Sequence, residues 1–169
     1  IMKKLLLLLF IGIVGIGNAQ NVNIPDANFK SYLVGNIDIN TNGDAEIQVS
    51  EATSFNGLID CQSLNISDLT GIEAFTALTD LYCYDNQLTS LDVTQNTALV
   101  SLRCYLNQLT SLDVTQNTAL DLLSCGDNPL TSLDVSQNTA LDFLGCWSNQ
   151  LTSLDVTQNT ALDNILCNN

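Results

Sequence analysis

Apolar positions recur along the chain with a strict rhythm. In the stretch from Leu99 to Val114 the sequence places Leu99, Leu102, Cys104, Leu109, Leu112 and Val114 among polar neighbours, and the same spacing returns one period later. Leu102 and Cys104 alternate with Arg103 and Tyr105, a period of two that predicts a short strand with two side chains turned inward. Asn107 then ends the strand, placed so that its amide can serve backbone groups of the turn and of the neighbouring unit. Leu109, Leu112 and Val114 cover the other side of the same narrow core. Before this region, "IPDANFKSYLV" reads as a short helix that starts near Asp26 and turns Phe29, Tyr32 and Leu33 inward.

The rhythm is a repeat. "LTSLDVTQNTAL" runs from Leu88 to Leu99 and returns at Leu109–Leu120, at Leu130–Leu141 with Ser136 as its one change, and at Leu151–Leu162. Cys61, Cys83, Cys104, Cys125, Cys146 and Cys167 mark the period, spaced by 22 and then by 21 residues. Around each copy the pattern is Leu-x-x-Leu-x-Cys-x-x-Asn-x-Leu, the leucine-rich-repeat signature with cysteine in an apolar slot. The predicted fold is a leucine-rich-repeat solenoid of the α/β horseshoe class. Its parallel sheet lines the concave face, short turns and irregular arcs form the convex face, and a small helical cap closes the N-terminal end. One coil cannot bury its apolar side alone, so the copies are constant because neighbouring coils must fit.

The unit "LTSLDVTQNTALVSLRCYLNQ" resembles secreted leucine-rich-repeat proteins of the Bacteroidetes type, with 21-residue cysteine-bearing coils. "NISDLTGIEAFTALTDL" is similar to the 22-residue internalin-like unit, and Leu64 stands where later coils carry the turn asparagine. The resemblance covers roughly residues 58–169 and implies a scaffold that serves many partners. Three segments are expected: a signal peptide at 1–19, an N-terminal cap at 20–57, and the solenoid at 58–169, which stops inside a coil and is expected to continue. Lys3-Lys4, the apolar run Leu5–Ile16 and the small residues Gly17-Asn18-Ala19 carry the first expectation. With one cysteine per coil at one inward slot, the cysteines are expected to be reduced packing groups, because in-register side chains point the same way and pair poorly.

Charge narrows the partners. All eighteen acidic residues lie beyond residue 19, against Lys30 and Arg103 alone, so the exported chain would carry a net charge of −16. Such a chain is repelled by nucleic acid and by anionic membrane surfaces, and no membrane insertion is expected after signal cleavage. It contains no histidine, which removes the commonest general base, and no nucleophile motif; no enzyme is expected. Asp92, Asp113, Asp134 and Asp155 repeat at one place per coil. Neighbours about 5 Å apart in water repel by about 0.8 kcal/mol, and the column reads as a solvated, turn-bonding feature with a cation-collecting stripe as the alternative.

Between the copies the sequence drifts, and it drifts at outward strand positions. One column reads Asp80, Ser101, Leu122, Phe143, Asn164; the next Tyr82, Arg103, Ser124, Gly145, Leu166; the third Tyr84, Tyr105, Gly126, Trp147, Asn168. Tyr82, Tyr84, Arg103, Tyr105, Phe143 and Trp147 are the candidate binding residues, since Tyr, Trp and Arg are the usual interface anchors. Arg103 beside Tyr82 is also placed for a structural cation–π pair. The functional expectation is a secreted or surface-displayed recognition or adhesion module that binds a protein or a glycan. The alternative is a spacer or scaffold for a further C-terminal domain, stabilised by calcium. Calcium enters through "INTNGDAEIQVSEA", which looks like an EF-hand loop with Asn40, Asn42, Asp44, Glu46 (through its carbonyl), Gln48 and Glu51 at the ligand positions. Ala45 occupies the glycine slot of that register; a register from Asp38 restores Gly43 there but puts Val49 at the carboxylate position. Relatives of the resembling type usually carry glycine at Ala45, which implies an ancestral calcium loop.

Overall fold

The computed structural model describes residues 20–168; the expected signal peptide lies outside the described residues. Helices α1 (Ala27–Gly35) and α2 (Val49–Ser54) precede six three-residue strands: β1 (Leu58–Asp60), β2 (Asp80–Tyr82), β3 (Ser101–Arg103), β4 (Leu122–Ser124), β5 (Phe143–Gly145) and β6 (Asn164–Leu166). The strands pair in sequence order as one parallel sheet, and each register step is one repeat, as in Leu81↔Leu102↔Leu123↔Leu144↔Ile165. The chain is therefore a stack of coils, a leucine-rich-repeat-like parallel solenoid with a small helical cap, as the repeat predicts. No helix among the described residues is long and apolar enough to cross a membrane.

The core is one continuous column. Leu81, Cys83, Leu88, Val93 and Leu99 of one coil are fully buried, and so are their counterparts Leu102, Cys104, Leu109, Val114 and Leu120 in the next. Burying each such leucine contributes about 1.5–3 kcal/mol, but only because the neighbouring coil supplies the other wall.

Two asparagine ladders tie the coils through their backbones. Asn107 donates from Nδ2 to the carbonyls of Cys83 in the previous coil (3.0 Å) and Cys104 in its own (3.1 Å), while its Oδ1 accepts from the Leu88 N–H at 3.0 Å. Asn86, Asn128 and Asn149 repeat this arrangement. Leu64 occupies that place in the first coil, where no preceding coil offers a carbonyl to bond. The second ladder, on the arc, was not anticipated from the sequence. Asn117 donates to Val93 O and Asn96 O, both at 2.9 Å, and Asn138 and Asn159 do the same one and two coils on. The copied "TQNT" holds this residue, so its constancy has a polar cause as well as an apolar one.

The cap docks through polar contacts on an apolar base. Asp26 caps α1 by accepting from the Asn28 and Phe29 N–H groups, and its other oxygen accepts from the N–H and Oγ of Ser67 on the first coil. Burial raises the Asp26 pKa, but the Phe29 and Ser67 donors outweigh it and hold the carboxyl below the usual range. Phe29 and Leu33 are fully buried as expected; Tyr32 is half-buried, because its hydroxyl accepts from the Asp60 N–H at 2.8 Å and so pins α1 to β1.

The cysteines follow the expected ladder except at its last rung. Cys61, Cys83, Cys104 and Cys125 are free and buried, but Cys146 and Cys167 form a disulfide, which corrects the expectation that all six stay reduced. Their Cα atoms are 4.7 Å apart, within the range a bridge tolerates, and Cys167 is exposed, so its side chain is not locked into the inward column by a following described coil. Burial pushes the thiols of Cys61 and Cys125 up to about 12 and holds those of Cys83 and Cys104 well above the ordinary thiol range.

Each coil also turns at a left-handed residue just past the outward strand positions: Ser63, Asp85, Leu106, Asp127 and Ser148, with φ between 48° and 55°, and the first coil adds a second at Asn65. Asp suits that conformation, whereas Leu106 has a side chain that opposes it by about 1–2 kcal/mol.

Two outcomes follow from this packing. Leu106→Asn should stabilise the chain by about 1 kcal/mol, seen as a rise of about 2–4 °C in the thermal midpoint; an unchanged midpoint would show that the turn carries no strain. Iodoacetamide at mildly alkaline pH should leave the four free thiols unmodified in the native chain and label all four after denaturation. Because the folded thiol pKa values are raised, the stability they confer is present below the unfolded value of about 8.5. It should decline as pH rises beyond that, since only unfolded thiols then ionise.

Candidate binding face

Parallel pairing in register places like positions of successive coils side by side at the strand spacing. This turns the three drifting sequence columns into three rows of side chains, two on the strands and the third, with Tyr84, Tyr105 and Trp147, two residues past the strand ends and not within the strands as expected. Tyr82 pairs in register with Arg103, and the Arg103 guanidinium lies over the Tyr82 ring, 4.5 Å from its centroid. In the next row Tyr84 and Tyr105 stack with centroids 4.3 Å apart and planes 10° from parallel. Tyr105 continues to Trp147, 5.8 Å away and tilted by 46°, although a whole coil lies between them.

Glycine makes that reach feasible. Gly126 occupies the row position between Tyr105 and Trp147, and a Cβ there would fall 2.2 Å from the Trp147 ring. A Cβ at Gly145 would fall 2.5 Å from the same ring and 3.2 Å from Phe143. The indole therefore lies flat on a floor of two glycines. Its Nε1 donates to Asp127 Oδ2 at 2.7 Å, which fixes the ring's direction. All six candidate residues thus lie on one face: Tyr84, Tyr105 and Trp147 in a continuous line, Tyr82 with Arg103 beside it, and Phe143 at the glycine floor.

Outward does not mean fully exposed. Each of the six is half-buried, and the outward Ser101 and Ser124 are buried. The strand spacing is close to ring-stacking distance, so large side chains in one row cover one another and their small neighbours. Burial pushes the Tyr105 phenol up, and Tyr84 beside it adds to the shift. Gly126, Gly145, Asp85 and Asp127 were not among the sequence candidates. The available signal was two glycines among the drifting outward positions, Gly126 in the column that holds Trp147 and Gly145 in the one beside it.

The aspartate column lies on the arc, away from this face. In each coil the aspartate Oδ1 accepts from the N–H two residues on: Thr94 at 3.0 Å, then Thr115, Ser136 and Thr157 at 2.9 Å. These bonds, led by the Thr94 and Thr115 hydroxyls at Asp92 and Asp113 and by the backbone N–H at Asp134 and Asp155, hold all four carboxyls below their ordinary range. The column serves the turns.

The loop from Asn40 to Glu51 closes on itself. Asn42 spends its Oδ1 on the Asp44 N–H (2.8 Å), so its Nδ2 faces inward and donates to Asp44 Oδ2 at 3.1 Å. Gln48 Nε2 donates to that same oxygen at 3.0 Å. Asn40 donates to the carbonyls of Val34 and Asp44, and Glu46 pairs with Lys30 at 2.7 Å. Glu51 accepts from the N–H and Oγ1 of Thr41 and the N–H of Asn42 on one oxygen, and from the Gln48 N–H on the other. Burial raises its pKa, but the donors, Gln48 and Asn42 foremost, outweigh it and lower the carboxyl. The left-handed turn falls at Gly43 (φ 72°), not at Ala45. The Asn42 and Gln48 amides thus present N–H groups to Asp44 Oδ2 where a cation would need their oxygens, and among the described residues no three His, Cys, Asp or Glu side chains converge as a metal site. As folded, these residues do not fit a calcium ion.

No family model matches the sequence. Internalin J of Listeria monocytogenes is 43% identical over 83 residues, which is 47% of this chain and 9% of that protein. The solved functional domain of internalin J, which includes a cysteine ladder, matches with a TM-score of 0.78 at 42% identity over 88% of this chain and 33% of that one. A second Listeria monocytogenes internalin shares the fold, with a TM-score of 0.72 at 20% identity over 84% of this chain and 43% of that one. A leucine-rich-repeat protein of Leptospira interrogans matches at 27% identity and a TM-score of 0.57, over 67% of this chain and 31% of that one. The chain thus spans a small part of the length of the relatives it matches.

The loop geometry gives a direct test. Calcium at up to about millimolar concentration, the weak end for extracellular modules, should give no heat by titration calorimetry and no shift in thermal midpoint, with Ala45→Gly as the second sample. Saturable heat in the parent chain would show that the Asn42 and Gln48 amides turn to present their oxygens.

Proposed function

We propose, for a chain whose repeats are internalin-like leucine-rich repeats with a cysteine ladder, that the concave sheet is a protein-binding face. The reading is of a non-enzymatic recognition or adhesion module, exported and displayed at or beyond the cell surface, of the secreted Bacteroidetes type that the 21-residue unit resembles. One observation carries it: Tyr84, Tyr105 and Trp147 form a continuous aromatic line on the one face the repeats leave free to vary. Aromatic rings held at fixed angles lose little rotamer freedom on binding, which is why they serve as anchors. The copied dodecapeptide builds the arc and the stack; the variable strand positions supply recognition.

The spacer reading draws on the half-burial of the same rings, which lets them be packing groups and nothing more. The double variant Tyr105→Ala/Trp147→Ala separates the two. Truncated anchors should weaken retention of a surface-protein ligand on the immobilised chain by about tenfold or more. The thermal midpoint should fall less than in Leu123→Ala, a fully buried core truncation that costs about 2–5 kcal/mol. A melting loss as large as that of Leu123→Ala, with retention unchanged, would make the face packing only.

A further inference from the structure

Resting on the binding-face reading, we infer that the partner presents a cationic segment, with an arginine or lysine side chain seated at the Tyr105–Trp147 step. Three observations converge. First, the face already accommodates a guanidinium: Arg103 lies over Tyr82 at 4.5 Å, so the geometry of a cation on these rings is realised within the chain. Second, Arg103 is the only base in the repeats, and it is committed to Tyr82, which leaves the Tyr84–Tyr105–Trp147 line with none. Third, carboxylates border that line and the strands beside it. Asp85 and Asp127 sit at the turns directly after Tyr84 and Gly126, Asp60 and Asp80 occupy outward strand positions, and Asp121 and Asp142 enter β4 and β5. The one ion pair among the described residues is Lys30–Glu46, in the cap.

Asp127 holds the central place. Its Oδ2 accepts from Trp147 Nε1, so a carboxylate is fixed at the edge of an indole whose face lies on the glycine floor beside Tyr105. An alkyl-guanidinium laid on the Tyr105–Trp147 step would meet ring faces on one side and the Asp127 charge at the rim. A ring step bordered by carboxylates attracts a cation by quadrupole and by charge together. A chain with so few bases of its own would also accelerate encounter with such a partner. A neutral glycan would stack on the rings but would have no use for the surrounding charge.

Trp147 is the single tryptophan, so its emission reports this step alone. The full chain is titrated with a nona-arginine peptide, followed by Trp147 emission and by anisotropy of the labelled peptide at about 50 mM and about 300 mM salt. Saturable change in Trp147 emission is expected, with affinity falling about tenfold or more at the higher salt. Asp85→Asn/Asp127→Asn, conservative at left-handed positions where asparagine is at home, should weaken binding about tenfold. The arc variant Asp113→Asn/Asp134→Asn, which removes the same charge elsewhere, should weaken it less than about twofold. Equal loss in both variants, or peptide binding that leaves Trp147 emission unchanged, overturns the inference. If chitohexaose or an uncharged peptide perturbs Trp147 independently of salt, the binding-face reading stands and the cationic one falls. If Tyr105→Ala/Trp147→Ala binds every probe as the parent does, both fall.

Discussion

Each coil of this protein leaves open an apolar side and a set of backbone carbonyls that only the next coil can satisfy. The asparagine after each strand is where the two demands meet. Asn107 is buried, yet its amide reaches backward to Cys83 O and sideways to Cys104 O, while its oxygen accepts from Leu88 N–H of the previous coil. An unpaired buried polar group would cost about 1–3 kcal/mol, so a polar side chain here is tolerated only because the stack pairs it, and the stack in turn uses it to set the register. A one-residue slip would break the amide contacts and turn the inward leucines outward at once. The sheet's alignment, and with it the rows of the concave face, depends on that joint constraint.

The second ladder shows how far the constraint extends. Asn96, Asn117, Asn138 and Asn159 link arc to arc through Nδ2, but their Oδ1 atoms are buried without a partner in the described chain. Four identical orphaned acceptors in one column are a repeated local cost, met by two good amide bonds each. Polar satisfaction of neighbouring backbone therefore outweighs satisfaction of the side chain itself. This explains why a copied segment keeps asparagine where an aliphatic residue would fill the same space.

The fold was legible in the sequence because its period is a packing requirement. The first five cysteines, the Leu102–Cys104 alternation and the turn asparagine each follow from a single coil geometry and land where that geometry puts them, while Cys167 lies exposed. The cap helix was equally legible from Asp26, Phe29 and Leu33. Other features were not, because they depend on distances between coils and not on spacing along one. The Cys146–Cys167 bridge falls at the rung where Cys167 is exposed, the 4.7 Å Cα separation being the ordinary strand spacing. The half-burial of the aromatic row turns on rings stacking at strand spacing, and the reach of Trp147 across Gly126 turns on an absent side chain in another coil. The loop at Asn40–Glu51 shows the same dependence: its spacing matches a cation loop, but the direction of an amide such as Asn42 is set by the backbone N–H its oxygen takes.

Copying and drift are two sides of one division of labour. On the arc, a side chain that changes meets its own copies above and below, so one substitution disturbs two interfaces. On the concave sheet the outward side chains meet those of neighbouring coils outside the apolar core, as the Tyr84–Tyr105 stack does, and there a change in one coil can be answered by a change in the next. Gly126 with Trp147 is such an answer: the loss of a side chain in one coil makes the floor on which a large ring of the following coil lies. Tyr105 then contacts a residue two coils away, which no pairwise rule of repeat packing provides. The consequence is a continuous aromatic surface longer than any one coil, built from residues that drifted separately. A face assembled in this way is specific to this chain's order of coils, so exchanging two coils would preserve the core and the ladders while breaking the line.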